Sequence, residues 1–179
     1  MILDEVQTGI GRTGKMLALE HEDVVPDILT LGKGLGGGFP IAAFLTTEDV
    51  AKTVSIGDHG GTYIGSPLAC AAADAVLEVV CAERLPERAA ELGEKLRSHL
   101  QSFANGQPDL VSEVRGRGLL IGMVLRDAEK AAALPGRALE RGILVNVTAG
   151  EVMRLFPPLN IPEDELWPAV DTLLELVKS

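Results

Sequence analysis

Apolar positions along this chain change their spacing near residue 67, from short blocks to helix-spaced stripes. Before that point, Met1 to Leu3, Asp27 to Leu31 and Pro40 to Leu45 are brief apolar runs bounded by Gly, Pro or carboxylates. Runs of this length and setting read as buried parallel strands. The first one ends on Asp4-Glu5 and opens the chain without a lead-in, as though it began in mid-fold. A polar, Gly-rich run from Gln7 to Gly14 follows, and the glycines after the second block put Lys33 on a loop.

From Pro67 the apolar period is helical. Leu68, Ala72, Ala75, Val76, Val79 and Val80 make one stripe, with Pro67 acceptable in a first turn. Leu85, Ala89, Leu92, Leu96, Leu100 and Phe103 make a second, closed by Asn105-Gly106. Val111 to Arg115 and Leu119 to Leu125 read as strands around a break at Gly116 to Gly118, and Lys130 to Arg141 as a helix ending at Gly142. Ile143 to Asn146 and Val152 to Phe156 read as short strands. Leu166, Val170, Leu173, Leu174 and Val177 form the stripe of a last helix, entered through Pro162 and the acidic run Glu163 to Glu165. The expected class is α/β, with a domain boundary near Phe103 to Pro108: residues 1–104 as a parallel-sheet part and 105–179 as a small α+β layer.

Composition narrows the function. Nearly half the residues (46%) are hydrophobic but only 3% are aromatic, so the core must rest on Ala, Val, Leu and Ile. A formal charge of −10 argues against a nucleic-acid partner, because phosphate binding needs clustered Lys and Arg. The apolar runs fall short of the roughly 20 residues of a membrane span, and no secretory pattern opens the chain. The expectation is a soluble, cytoplasmic protein with no membrane contact. Cys70 and Cys81 share a helix about 16 Å apart, too far for a disulfide, and are expected to be buried free thiols.

The chemistry centres on Gly32-Lys33-Gly34-Leu35-Gly36-Gly37-Gly38. Gly32, Gly34 and Gly37 satisfy a dinucleotide G-x-G-x-x-G pattern, but a strand-like run with a proline follows where a helix is needed. The acidic residue expected about 20 positions further on is missing, and the Gly-Lys pair lacks the Ser or Thr of a Walker loop. One remaining reading is a surface lysine in a flexible loop. The other is a lysine amine with room to meet an aldehyde cofactor, its pKa lowered by an enclosed apolar site. Asp4 bears on the choice. A carboxylate at the end of a buried strand needs a partner, and pyridoxal phosphate supplies one in its pyridinium nitrogen, which the carboxylate keeps protonated as an electron sink. Neighbouring parallel strands would bring Asp4 and Lys33 to one sheet edge, the edge at which open α/β sheets bind ligands.

Leu3-Asp4-Glu5-Val6-Gln7-Thr8-Gly9-Ile10-Gly11-Arg12-Thr13-Gly14 and Pro26-Asp27-Ile28-Leu29-Thr30-Leu31-Gly32-Lys33-Gly34 resemble the signature of class III pyridoxal-phosphate-dependent aminotransferases. The resemblance continues through His59-Gly60-Gly61-Thr62-Tyr63, Pro67 to Ala71, Val114 to Leu120, Gly142 to Asn146 and Met153 to Ile161. Within that class the final Arg154-Leu155-Phe156-Pro157-Pro158-Leu159-Asn160-Ile161 is most similar to the acetylornithine branch. It implies the C-terminal part of a fold-type I large domain plus a small C-terminal domain, and a homodimer. By motif position it implies that Lys33 carries the cofactor and moves the substrate proton. Asp4 would pair with the pyridinium nitrogen, and Gln7 would lie near the phenolic oxygen. Thr62 would serve the phosphate site of the neighbouring subunit, and Arg154 would hold the substrate carboxylate. Read without the resemblance, Arg154 is a strand arginine in a surface ion pair. His21, His59 and His99 lack metal-ligand spacing, and Arg115 and Arg117 flank a Gly turn as structural residues.

The sequence departs from the family at Ile64 and Ser66, where glycine and asparagine are usual, and at Gly61, where Ser or Thr is common. Segments matching the family's N-terminal half, with its phosphate loop and stacking aromatic, are not in this sequence, so apolar surface is expected to be exposed. Two function classes follow. One is a transaminase moving an amino group from an N-acetylornithine-like donor to 2-oxoglutarate, with ornithine, 4-aminobutyrate or a diaminopimelate derivative as open alternatives. The other is a silent fragment acting only through subunit interaction.

Overall fold

A computed structural model describes residues 1–179, which form two compact units, Met1–Glu87 and Arg88–Ser179. In the first unit, β1 (Ile2–Asp4), β2 (Ile28–Leu31) and β3 (Ala43–Thr46) make a three-stranded sheet in that order. β1 and β2 are parallel, with Asp4 opposite Thr30. β3 is antiparallel to β2, correcting the expected third parallel strand. The reason is the connection. A parallel return needs a crossover of about a dozen or more residues, usually a helix, whereas here a 3-10 turn (Lys33–Gly36) and the left-handed Gly37 and Gly38 (φ +58° and +109°) reverse the chain at once.

The sheet is also less buried than its apolar runs suggest. Leu29 is enclosed, but Ile2 and every residue of β3 are exposed. Apolar runs specify what could be buried; burial needs a second layer over each face.

After the short α1 (Glu48–Ala51), α2 (Pro67–Ala82) packs against the turn at Lys33. Its most buried residues are Ala69, Ala73 and Val80, while Leu68 and Val79 of the expected stripe are exposed. The helix is apolar almost all round, so periodicity alone did not single out its inner face. Contact is close there: a Cβ on Gly37 would sit 2.7 Å from Val76 Cγ2. Cys70 and Cys81 each fall one position past a buried residue, about 100° round the helix, and are exposed rather than buried.

The second unit holds α3 (Leu85–Gly106) from Arg88 onward, β4 (Val111–Arg117), β5 (Leu120–Leu125), α4 (Ala128–Glu140), β6 (Asn146–Thr148), β7 (Val152–Leu155) and α5 (Glu163–Lys178). Its antiparallel sheet runs β4-β5-β7-β6. Ala89, Leu92, Leu96 and Leu100 of α3 enter one core with Ile121, Met123 and Met153 of the sheet and the α5 stripe. That packing draws α3 into the second unit, so the units divide at Glu87/Arg88, ahead of the change of pattern at 103–108. Gly93 lets α3 press onto the β4–β5 turn: a Cβ there would lie 2.1 Å from the carbonyl oxygen of Gly118. Asp127 caps α4, its Oδ1 accepting the Glu129 and Lys130 N–H groups at 3.0 Å.

The strand expected at Ile143 to Asn146 starts only at Asn146. The Ile143 N–H is engaged by the Ala138 carbonyl at 2.9 Å, where the chain leaves α4 through Gly142 (φ +77°), so it is not available to a sheet. No helix is long and apolar enough to cross a membrane.

Candidate active site

In the first unit the parallel pairing of β1 and β2 brings their C-terminal ends together. Asp4 closes β1, and Lys33 stands two residues beyond β2. Asp4 Oδ1 accepts the Val6 N–H at 2.9 Å and the Thr30 hydroxyl at 3.0 Å. The Val6 bond, then the Thr30 bond, hold the Asp4 carboxyl below the ordinary carboxylate range against a small opposing desolvation, with Lys33 adding a favourable charge. Asp4 is exposed, a correction to the expected buried carboxylate, because its side chain ends at the open rim of a three-stranded sheet.

Lys33 has a left-handed backbone (φ +44°), uncommon for a residue with a side chain, and starts the 3-10 turn. Its Nζ donates to Gln7 Oε1 at 2.7 Å. The flanking glycines differ. A Cβ on Gly32 would come within 3.3 Å of Val6 Cγ1, whereas Gly34 has ordinary room, its nearest neighbour 3.8 Å away.

The loop that carries Gln7 is anchored on either side of it by Glu5, which sequence reasoning did not single out. Glu5 is buried, and its two carboxylate oxygens accept the Ala18 and Leu19 N–H groups at 2.6 and 2.7 Å, while its carbonyl accepts the Gly9 N–H at 2.9 Å. The only sequence signal was a second carboxylate directly after Asp4. The Thr30 hydroxyl was likewise missed, because it meets Asp4 only through strand register. Thr62 lies in the exposed segment between α1 and α2 and makes no hydrogen bond to this cluster.

In the second unit Arg154 sits on the inner strand β7, opposite Gly122 of β5 and Asn146 of β6. Its guanidinium lies 5.8 Å from the centre of the Phe156 ring, and its Nε is buried with no hydrogen-bond partner. It makes no ion pair, and it lines an apolar cavity of about 640 Å³ with Asn146, Phe156, Pro157, Pro158 and Glu165. A buried N–H without a partner, on a cation at a cavity wall, is suited to an anionic oxygen acceptor.

Residues 1–177 match the family Aminotransferase class-III. The chain is 51% identical over 179 residues to the acetylornithine aminotransferase of Methanopyrus kandleri, covering all of this chain and 45% of that protein. It is 49% identical over 173 residues to that of Methanothermobacter thermautotrophicus, covering 97% of this chain and 44% of the relative. Among solved structures it resembles the acetylornithine aminotransferase of Elizabethkingia anophelis, with a TM-score of 0.91 and 44% identity over 99% of this chain and 45% of that one. The ornithine aminotransferase of Toxoplasma gondii, with partial occupancy of PLP at its active site, gives a TM-score of 0.91 and 40% identity over 98% of this chain and 42% of that one. This chain therefore spans less than half the length of the proteins it matches. Class III aminotransferases depend on pyridoxal phosphate, and the Asp4–Gln7–Lys33 cluster has the carboxylate and amine that such a group requires. By its match over 1–177 and its identity to these relatives, the chain belongs to the class III aminotransferase family.

Proposed function

We propose that this chain supplies the cofactor-bearing lysine and the carboxylate-binding arginine of a pyridoxal-phosphate-dependent transaminase. The reaction moves an amino group from an N-acetylornithine-like donor to 2-oxoglutarate, as in arginine biosynthesis, in the cytoplasm. The observation that carries this reading is the Asp4–Gln7–Lys33 cluster at the ends of two adjoining parallel strands. When bound, pyridoxal phosphate supplies an aldehyde for primary amines and a ring that takes up electrons.

The chain's own residues have these parts. Asp4, held ionised by the Val6 N–H and the Thr30 hydroxyl, would hold the ring nitrogen of that group and favour its protonated form. Gln7 orients the Lys33 amine through its Oε1, and Nζ is the group that takes and returns the substrate proton. Arg154 presents its guanidinium, with the unpartnered Nε–H, to a substrate carboxylate. Thr62 serves the phosphate site of the neighbouring subunit in a homodimer. The acetylated donor rests on the stretch Arg154 to Ile161 and on the acetylornithine relatives. Ornithine aminotransferases match at 42–43% identity, so ornithine is the first alternative donor.

A second reading, a silent chain that acts by pairing with a longer subunit, draws on the exposed apolar residues Ile2, Phe44, Leu45, Ile56 and Tyr63. One experiment separates the two. The purified chain is incubated with pyridoxal phosphate, reduced with borohydride and peptide-mapped. A stoichiometric label on Lys33, lost in Lys33→Ala, supports the first reading. Labels scattered over surface lysines would support the second.

A further inference from the structure

Arg88, half-buried in the first turn of α3, forks across the segment that leaves β7. Its Nη1 donates to the carbonyl of Leu159 at 2.6 Å and its Nη2 to the carbonyl of Ile161. Within that segment Pro157, Pro158 and Pro162 have no N–H to donate, and one tight turn sets the Ile161 N–H on the Pro158 carbonyl at 3.2 Å. The same segment builds a wall of the Arg154 cavity through Phe156, Pro157, Pro158 and Ile161. Phe156 also carries the ring beside the Arg154 guanidinium. Arg154 has no ion pair and an unpartnered Nε, so its aim depends on that packing rather than on a bonded partner.

We infer that Arg88 is a positioning residue for Arg154: by holding two carbonyls of the 157–161 segment it fixes the Phe156 wall and thereby aims the Arg154 guanidinium at a dicarboxylate. This rests on the reading of Arg154 as a carboxylate binder. A lysine at position 88 would keep the charge but has no planar fork to hold both carbonyls.

The test uses the full 179-residue chain labelled with ¹⁵N-arginine, the Arg154 Nε–H resonance being assigned with Arg154→Lys. Glutarate, a non-reacting dicarboxylate, is titrated in. The expected result is an Arg154 signal that shifts with glutarate in the wild type. In Arg88→Lys it should be displaced before any glutarate is added, with affinity weakened roughly tenfold. A role confined to stapling the fold would lower the melting temperature and leave the Arg154 signal and the affinity unchanged, which would overturn the proposal. Phe156→Leu leaves the Arg88 bonds intact and should reproduce the displacement, even if Arg88→Lys does not fold; an unmoved signal there also overturns it. A wild-type signal blind to glutarate but displaced in Arg88→Lys would sink the carboxylate reading of Arg154 while supporting the hold of Arg88 upon it.

Discussion

The Lys33 amine is tethered to the Gln7 amide oxygen across 2.7 Å, and the two residues lie 26 positions apart on loops that leave neighbouring parallel strands. The tether is an exposed, charge-assisted bond, so it orients the amine more than it stabilises the fold. Gln7→Ala should slow specific labelling of Lys33 by pyridoxal phosphate by about tenfold or less, in keeping with one hydrogen bond. Stopped-flow absorbance measures that rate; an unchanged rate would mean that the tether does not orient the amine.

Asp4 predicts a pH dependence with a definite sign. Its folded-state pKa lies below the ordinary value of 3.8. A depressed carboxylate contributes stability that is fully present above the unfolded value and is lost as pH falls through the folded one. The difference in melting temperature between the wild type and Asp4→Asn should therefore be flat from pH 5 to 8 and shrink only below about 3.8. A difference that changes near pH 6 would contradict this assignment.

Glu5 is a stronger structural point than its neighbour. Glu5→Gln keeps the volume but replaces one of two acceptors with a donor, facing a backbone N–H group that then loses its partner. The expected cost is about 1–3 kcal/mol in urea unfolding, with earlier proteolysis in the 6–19 loop. Wild-type stability in this variant would show that the two short bonds are dispensable.

Two glycines in helices of the second unit should behave oppositely. Gly93→Ala would force a Cβ to within 2.1 Å of a backbone oxygen and should destabilise by about 1–3 kcal/mol or more. Gly136→Ala in α4 meets nothing within 4 Å and should stabilise by up to about 1 kcal/mol through helix propensity. Thermal melts of the pair settle both signs.

Much of this fold was legible along the chain because helical periodicity is a local property. The α5 stripe Leu166, Val170, Leu173, Leu174 and Val177 is buried as its spacing predicts, and so is the α3 stripe from Leu85 to Leu100. The shared sheet edge of Asp4 and Lys33 could also be read, since adjoining parallel strands bring their C-terminal ends together, whereas Gln7 entered only through the family resemblance. Other features depended on what each element meets. The direction of β3 was set by a glycine reversal, the inner face of α2 by close contact with Gly37, the exposure of Asp4 by its place at the sheet rim, and that of Cys70 and Cys81 by their place one step round α2 from its buried residues. The grip of Arg88 on Leu159 and Ile161, made across more than seventy positions, has no local signature at all. By itself the sequence determined the elements and the chemistry available to them, because both follow from residue type and spacing. Only the tertiary structure decided which face of the all-round apolar α2 is covered, the direction of β3 and the long-range partners, because each of these is a relation between surfaces that no local spacing encodes.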